Sequence, residues 1–234
     1  GGRPRFFVEA GANDGLSESN TAALERCFGW TGLLVEPDPR ALAELQGNRP
    51  RSEVLAGCLA AAEGEHVLYM TEASELSTIN ATPGASAQSV FNAVPGATAP
   101  VGETVVKCYR LGALLAERGV ETVDYLSLDT EGTEIGILEG VDWQGGPRIE
   151  LISVEVAPQI LGEEKQLEVR SFLQQRGYEF LDRVGFDDFY HLVGPNQGQD
   201  TADCRAAPLL DLPPVPPWLP LGGPTPWPRV AEGL

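Results

Sequence analysis

Two apolar rhythms alternate along the chain: short unbroken runs, and stretches in which apolar positions recur every three or four residues. Phe6 to Ala10 is a run closed by Gly11, and beyond it Leu24, Cys27 and Phe28 fall at i, i+3 and i+4 of a helix. Ser17 or Ser19 stands where it can cap that helix. Gly32 to Glu36 is the next run, and a helix from Asp38 to Leu45 follows, started by Asp38 or Pro39 with Leu42 and Leu45 turned inward. Ser52 to Leu59 is a third run. Strand, helix, strand, helix, strand predicts a parallel sheet covered by helices, with right-handed crossovers.

The middle is less regular. Val67 to Met70 and Thr104 to Tyr109 read as strands, and Thr82 to Pro100, rich in Ala, Gly, Ser and Pro, reads as a loop. The alternation then resumes with a helix carrying Leu111, Leu114 and Leu115, a strand Val123 to Asp129, a helix from Thr133 to about Glu139, and a strand Ile149 to Glu155. A helix with Val169, Phe172 and Leu173 on one face is predicted to stop at Gly177. Tyr178 to Val184 and Phe189 to Val193, joined by Gly185 to Asp188, predict a terminal hairpin. About seven main strands result. Ten of the 19 prolines lie beyond Gly194, so residues 194–234 read as an extended tail that Leu209, Leu210, Trp218, Leu219 and Trp227 could pin to the domain. The division expected is a domain over 1–193, with a loop and hairpin insertion at about 64–109, and the tail.

Charge changes the picture next. The 234 residues carry 16 Lys and Arg against 34 Asp and Glu, a formal charge of -18, which argues against a nucleic-acid partner. No apolar run is long enough for a membrane-spanning helix. The one methionine is Met70, so a processed upstream segment is expected before Gly1, and a secretory or Golgi lumen and the cytoplasm both stay open. Cys27, Cys58, Cys108 and Cys204 are widely spaced without a CxxC pair, which disfavours zinc. Plain burial of all four is expected over a disulfide between two of them.

Three motifs carry chemistry. In the first, Glu9, Gly11, Ala12, Asn13, Asp14 and Gly15 form a strand-to-helix turn where backbone approaches a ligand closely. It has the pattern GxxxG and lacks a glycine of the dinucleotide fingerprint, and its flanking Glu9 and Asp14 would repel a diphosphate. A cationic ligand such as S-adenosylmethionine suits it better. In the second, Glu36 ends the second strand 21 residues after Gly15, where a carboxylate can accept from both hydroxyls of a ribose. In the third, Asp129, Glu131 and Glu134 crowd the end of one buried strand and Glu155 ends the next. Like charges clustered there raise one another's pKa and cost stability unless they are used, although a loop of solvated acids capping a helix is the plainer reading.

The segments Phe7 to Gly15, Ser19-Asn20-Thr21, Gly29 to Pro37, Asp124 to Gly132 through Ile137-Leu138, and Ser153-Val154-Glu155 resemble the FkbM family of S-adenosylmethionine-dependent methyltransferases from about residue 6 to residue 193. Within it the chain is most similar to a eukaryotic branch that includes the animal Star-like proteins, which share the Ser-Asn-Thr block and cysteines in the settings of Cys58 and Cys108. The resemblance implies an α/β, Rossmann-like class I methyltransferase: a seven-stranded, mostly parallel sheet with an antiparallel last strand and helices on both faces. It implies that Glu9 and the turn Gly11 to Gly15 hold the methionine part of the cofactor, that Glu36 holds the ribose and the backbone near Cys58 and Leu59 flanks the adenine, and that Ser19, Asn20 and Pro37 also belong to the cofactor site.

For the chemistry, O-methylation of a hydroxyl on a sugar or another small hydroxylated metabolite is expected. Asp129 or Glu131, with Glu155, is the expected base, and His191 a further candidate. The same three acids are an alternative ligand set for Mg²⁺. A catalytically silent binding or trafficking module and a nucleotide-dependent oxidoreductase are the rival readings. The first would show decay of the glycine turn or of Glu36, and neither has decayed.

Overall fold

Phe6–Ala10 (β1), Ala22–Phe28 (α1), Thr31–Glu36 (β2), Pro39–Asn48 (α2) and Glu53–Ala56 (β3) realise the first strand–helix alternation. They belong to a computed structural model that describes residues 3–72, 74, 77–79, 101–156 and 163–193. The loop expected at Thr82 to Pro100, Cys204 and the tail from Gly194 lie outside the described residues. Local chemistry sets the helix ends: the Asp38 carboxylate accepts from Arg40 N at 2.9 Å with Pro39 in the first turn, and α1 stops at Gly29, whose φ of 70° favours glycine.

Cys58–Leu59 (β4), Gly64–Met70 (β5), Thr78–Ile79 (β6) and Gly102–Tyr109 (β7) follow, then Leu111–Glu117 (α3), Thr122–Leu128 (β8), Glu134–Glu139 (α4) and Arg148–Glu155 (β9). Glu163–Gln174 (α5), Tyr178–Val184 (β10) and Asp187–Leu192 (β11) complete the described elements. Seven strands form one sheet in the order β10-β11-β9-β8-β1-β2-β3. Every pairing from β3 to β9 is parallel, and β11 runs against both its neighbours. The α/β class with a mostly parallel seven-stranded sheet and an antiparallel last strand is therefore shown.

Period-two alternation sorts the strand residues onto two faces. Val8, Ala10, Leu33, Val35, Leu126 and Leu128 pack with Leu111 and Leu115 of α3, Ile137 and Leu138 of α4, and Val169 and Leu173 of α5. Phe7, Leu34 and Tyr125 pack on the other side with Leu45 of α2 and Leu24 of α1. β2 is buried on both faces, which is why it reads as an unbroken apolar run.

The structure corrects three expectations. The run from Ser52 to Leu59 is not one strand: β3 ends at Ala56, and β4 belongs to a second sheet of order β4-β7-β5-β6. Gly57 separates them, and a Cβ there would meet the Lys107 carbonyl oxygen at 2.5 Å. The terminal hairpin turns on Gly185 and Phe186 alone, so β11 starts at Asp187 rather than Phe189. Cys58 and Cys108 are joined by a disulfide between adjacent strands, Cα atoms 4.3 Å apart, instead of being separate buried thiols. Pairing of β4 with β7 brings the two together, a juxtaposition that their spacing along the chain does not reveal. Cys27 is free. No helix among the described residues is long and apolar enough to cross a membrane.

The bridge spans 50 residues of sequence and so restricts the unfolded chain. Reduction by a dithiol, or the paired substitution C58S/C108S, is expected to lower the thermal midpoint by roughly 5–15 °C, the equivalent of ~2–4 kcal/mol. Melting curves with and without reductant that coincide would contradict the bridge.

Candidate functional site

β1 and β8 are adjacent in the sheet although far apart in sequence, and the chain winds outward from them in opposite directions. That reversal opens a crevice at the C-terminal ends of the parallel strands. Gly11 N and Ala12 N both donate to the Val35 carbonyl, at 3.1 and 3.2 Å, and Asp129 N donates to the Ala10 carbonyl at 3.1 Å. A Cβ on Gly11, whose φ is 84°, would collide with the Asp129 carbonyl. The first glycine of the turn is thus required by the backbone of the third motif.

Glu36 closes the crevice on the β2 side. Its Oε2 accepts from Asn13 N at 2.8 Å and its Oε1 from Asp38 N at 2.7 Å, which leaves each oxygen a free lone pair. Burial raises its pKa to about 7, opposed by those two hydrogen bonds and reinforced by the charge of Asp38.

Glu9 behaves differently from its expected role. It is buried, and its carboxylate accepts from Ser19 Oγ at 3.0 Å, Asn20 N at 2.8 Å and Thr21 Oγ1 at 2.5 Å, with Arg49 Nη1 at 3.4 Å. Arg49 is itself fully buried and pairs with Glu25 at 3.0 Å. Asp14 folds back onto Leu16 N, Ser17 N and Ser17 Oγ. Ser19 Oγ accepts from Ala22 N at 3.1 Å, and Asn20 Nδ2 donates to Ser127 Oγ at 3.1 Å. Glu9, Asp14, Ser19 and Asn20 therefore shape the loop after β1 from behind.

Across the crevice, one oxygen each from Asp129, Glu131 and Glu155 lie within 4.8 Å of one another. Asp129 and Glu155 stand side by side in this group, and burial raises both above the ordinary carboxylate range. Burial first and the neighbouring Glu155 second hold Asp129 well above the usual carboxylate range. Burial, then the charges of Glu155 and Glu134, raise Glu131 to about 7. Asp187, which opens β11 opposite Glu155, is raised to about 6 by burial and then by Glu155. Glu134 is set apart from this group. Its Oε1 accepts from Thr130 N and Gly132 N, both at 3.1 Å, and its Oε2 lies 2.7 Å from Lys165 Nζ, so it anchors the loop.

The resulting cleft is partly open to solvent. Of the residues expected to hold a cofactor, Gly11, Asn13, Glu36, Pro37, Cys58 and Leu59 line it, and so do Asp129 and Glu131. Glu9, Ala12, Asp14, Gly15, Ser19 and Asn20 are not among its lining residues. His191 is not brought to it either. It pairs with Leu151, four residues back along β9 from Glu155, which is about 13 Å, and its Nε2 lies 3.8 Å from Glu179. Sequence reasoning missed Glu18, Ser74, Ser77 and Ile79, which also line the cleft. No charge run or motif marks the last three, because the chain brings them in through the second sheet.

The family described as "Methyltransferase FkbM domain" matches residues 9–180. No curated protein matches the chain. Among solved structures, methyltransferase FkbM from Methylobacillus flagellatus KT is similar at 14% identity and a TM-score of 0.49, over 80% of this chain and 43% of that one. The chain thus spans less than half the length of that protein. The Methanococcus jannaschii fibrillarin pre-rRNA processing protein is similar at 11% identity and a TM-score of 0.43, over 81% and 67% of the two chains. The delta-N METTL16 MTase domain gives 12%, 0.39, 81% and 71%.

Glu131 makes the cleft's electrostatics testable. Below about pH 4.5 it is protonated in both folded and unfolded states; as pH rises toward 7 only the unfolded chain ionises, so stability falls, and above 7 the whole penalty is present. E131Q is expected to stabilise the protein at pH 8 by on the order of 1–2 kcal/mol and to have little effect at pH 4.5. Thermal melts at the two pH values check the difference, and an equal effect at both would refute it.

Proposed function

The chain belongs to the FkbM methyltransferase family, and from that premise we propose that it transfers a methyl group from S-adenosylmethionine to a hydroxyl of a sugar or other small hydroxylated metabolite. The observation that carries the reading is the character of the cleft. Glu18, Glu36, Asp129 and Glu131 line it, and no Lys, Arg or His does so among the described residues. Such a cleft favours a cation and repels the pyrophosphate of a dinucleotide. That disfavours an oxidoreductase. Beside the acids, Ala10, Val35, Leu59 and Ile79 supply an apolar wall suited to a heteroaromatic ring.

The residues fit the cofactor. Glu36 has one acceptor position left on each oxygen for a pair of vicinal hydroxyls, while Asn13 N and Asp38 N fix its orientation. Cys58 and Leu59 would border the ring, and the turn from Gly11 to Asn13 would face the methionine part. When bound, S-adenosylmethionine supplies an electrophilic methyl group on a sulfonium.

The chain's own residues then align and deprotonate the acceptor. Glu131, with a pKa of about 7, is part ionised near neutrality, which suits a general base for a hydroxyl. Asp129 and Glu155 beside it, both raised by burial, would take up or return a proton in support of Glu131. The same three acids are hard oxygen donors and would be the ligands of Mg²⁺ if the reaction used it to acidify the hydroxyl. Kinship with the eukaryotic Star-like branch is part of the same proposal, supported by Ser19-Asn20-Thr21 and by the Cys58–Cys108 pair.

Calorimetry with S-adenosylhomocysteine is expected to show one site, with E36A weakening it at least tenfold. Absence of binding to the unaltered chain would end the methyltransferase reading. In a transfer screen over sugars, hydroxylated metabolites and peptides, E131Q is expected to lower the rate by about 10²-fold or more on any acceptor found. Running it with Mg²⁺ and with chelator separates base from metal chemistry.

A further inference from the structure

Three non-glycine residues among those described have positive φ: Asn13 at 44°, Glu18 at 57° and Glu131 at 54°. All three line the cleft. Asparagine tolerates this region, but glutamate visits it at a steric cost, so Glu131 calls for restraint beyond the bonds that Glu134 makes to Thr130 N and Gly132 N on either side of it. That restraint comes from the second sheet. Thr78 of β6, only 3% exposed, donates from Oγ1 to the Glu131 carbonyl at 3.0 Å, whereas the competing Ile79 carbonyl is at 3.4 Å.

Asn13 is held in a parallel way. Its N–H is committed to Glu36, and its Oδ1 accepts from Ser74 Oγ at 2.8 Å. Ser77 Oγ reaches Asp38 at 3.2 Å, and Arg40 Nη1 donates to the Thr71 carbonyl at 2.8 Å. A few residues between Thr71 and Ile79 thus touch the turn after β1, the start of α2 and the loop after β8.

We propose that Thr78 and Ser74 are positioning residues of the cleft, whose hydroxyls hold the Glu131 backbone carbonyl and the Asn13 side chain and so keep these two left-handed residues, and the neighbours they aim at the ligand, in place. This rests on reading the cleft as the S-adenosylmethionine site. Thr78→Val keeps the shape of the side chain and removes the donor. Thr78→Ser keeps the donor. Ser74→Ala removes the half-buried hydroxyl, so it tests the idea even where Thr78→Val fails to fold.

Two measurements on the full chain apply. In ligand-free protein, amide exchange over residues 129–133 is expected to quicken about tenfold in Thr78→Val, and over residues 12–15 in Ser74→Ala, with Thr78→Ser within about twofold of the parent. S-adenosylhomocysteine affinity by calorimetry is expected to fall roughly five- to tenfold in Thr78→Val and to return in Thr78→Ser. Unchanged exchange at both loops, or a Thr78→Ser variant as impaired as Thr78→Val, would overturn the positioning role while leaving cofactor binding intact. A parent chain that binds no S-adenosylhomocysteine would instead overturn the reading of the cleft on which the role rests.

Discussion

β1 and β8 leave the sheet so close together that Gly11 has the Asp129 carbonyl where a side chain would begin. This contact is steric, and the rest of the site depends on it. With no Cβ in the way, the turn after β1 can lie against the loop after β8, and Gly11 N and Ala12 N can reach across to Val35. The ends of three strands then face one crevice. Glu36 shares it with Asp129 and Glu131 although they lie more than 90 residues further along the chain.

Such proximity imposes an electrostatic cost, and the structure offsets it unequally. Behind the turn, Glu9 is given three donors, Ser19 Oγ, Asn20 N and Thr21 Oγ1, and a buried arginine. Glu134 likewise receives three donors and Lys165. Asp129, Glu131 and Glu155 are less fully compensated: burial raises all three, neighbouring acids add to it, and Lys165 offsets only part of the effect at Glu131 and Glu155. Within one acidic protein, carboxylates that hold the fold are neutralised by cations and backbone, and those gathered at the ends of β8 and β9 are pushed toward their neutral form.

Much of this was legible in the sequence, for physical reasons that differ by residue. Strands and helices showed because their periods differ, and the strand-end acids showed because parallel strands present their C-terminal ends to one edge. The role of Glu9 was not legible, since a buried acid is told from a ligand-facing one by its partner, and Arg49 lies 40 residues on. His191 looked plausible only while the register of the terminal hairpin was open; pairing with Leu151 takes it away from the edge. The break at Gly57 was hidden because the apolar run continues through it, and what marks it is a change of pairing partner, from β2 before Gly57 to β7 after it. Ser74, Ser77 and Thr78 are ordinary polar residues whose importance comes from where β5 and β7 carry them.

The break at Gly57 also bears on how much of this chain could stand alone. Leu55 and Ala56 belong to the large sheet, while Cys58 and Leu59, a residue further on, belong to the small one and form part of the cleft wall. The small sheet is therefore not an ornament that could be trimmed to leave a minimal catalytic unit. Excising it would leave a seven-stranded scaffold with its acids in place and one wall of the cleft missing. A graft of this site onto another parallel sheet would have to carry the span from Gly57 to Tyr109 as one piece.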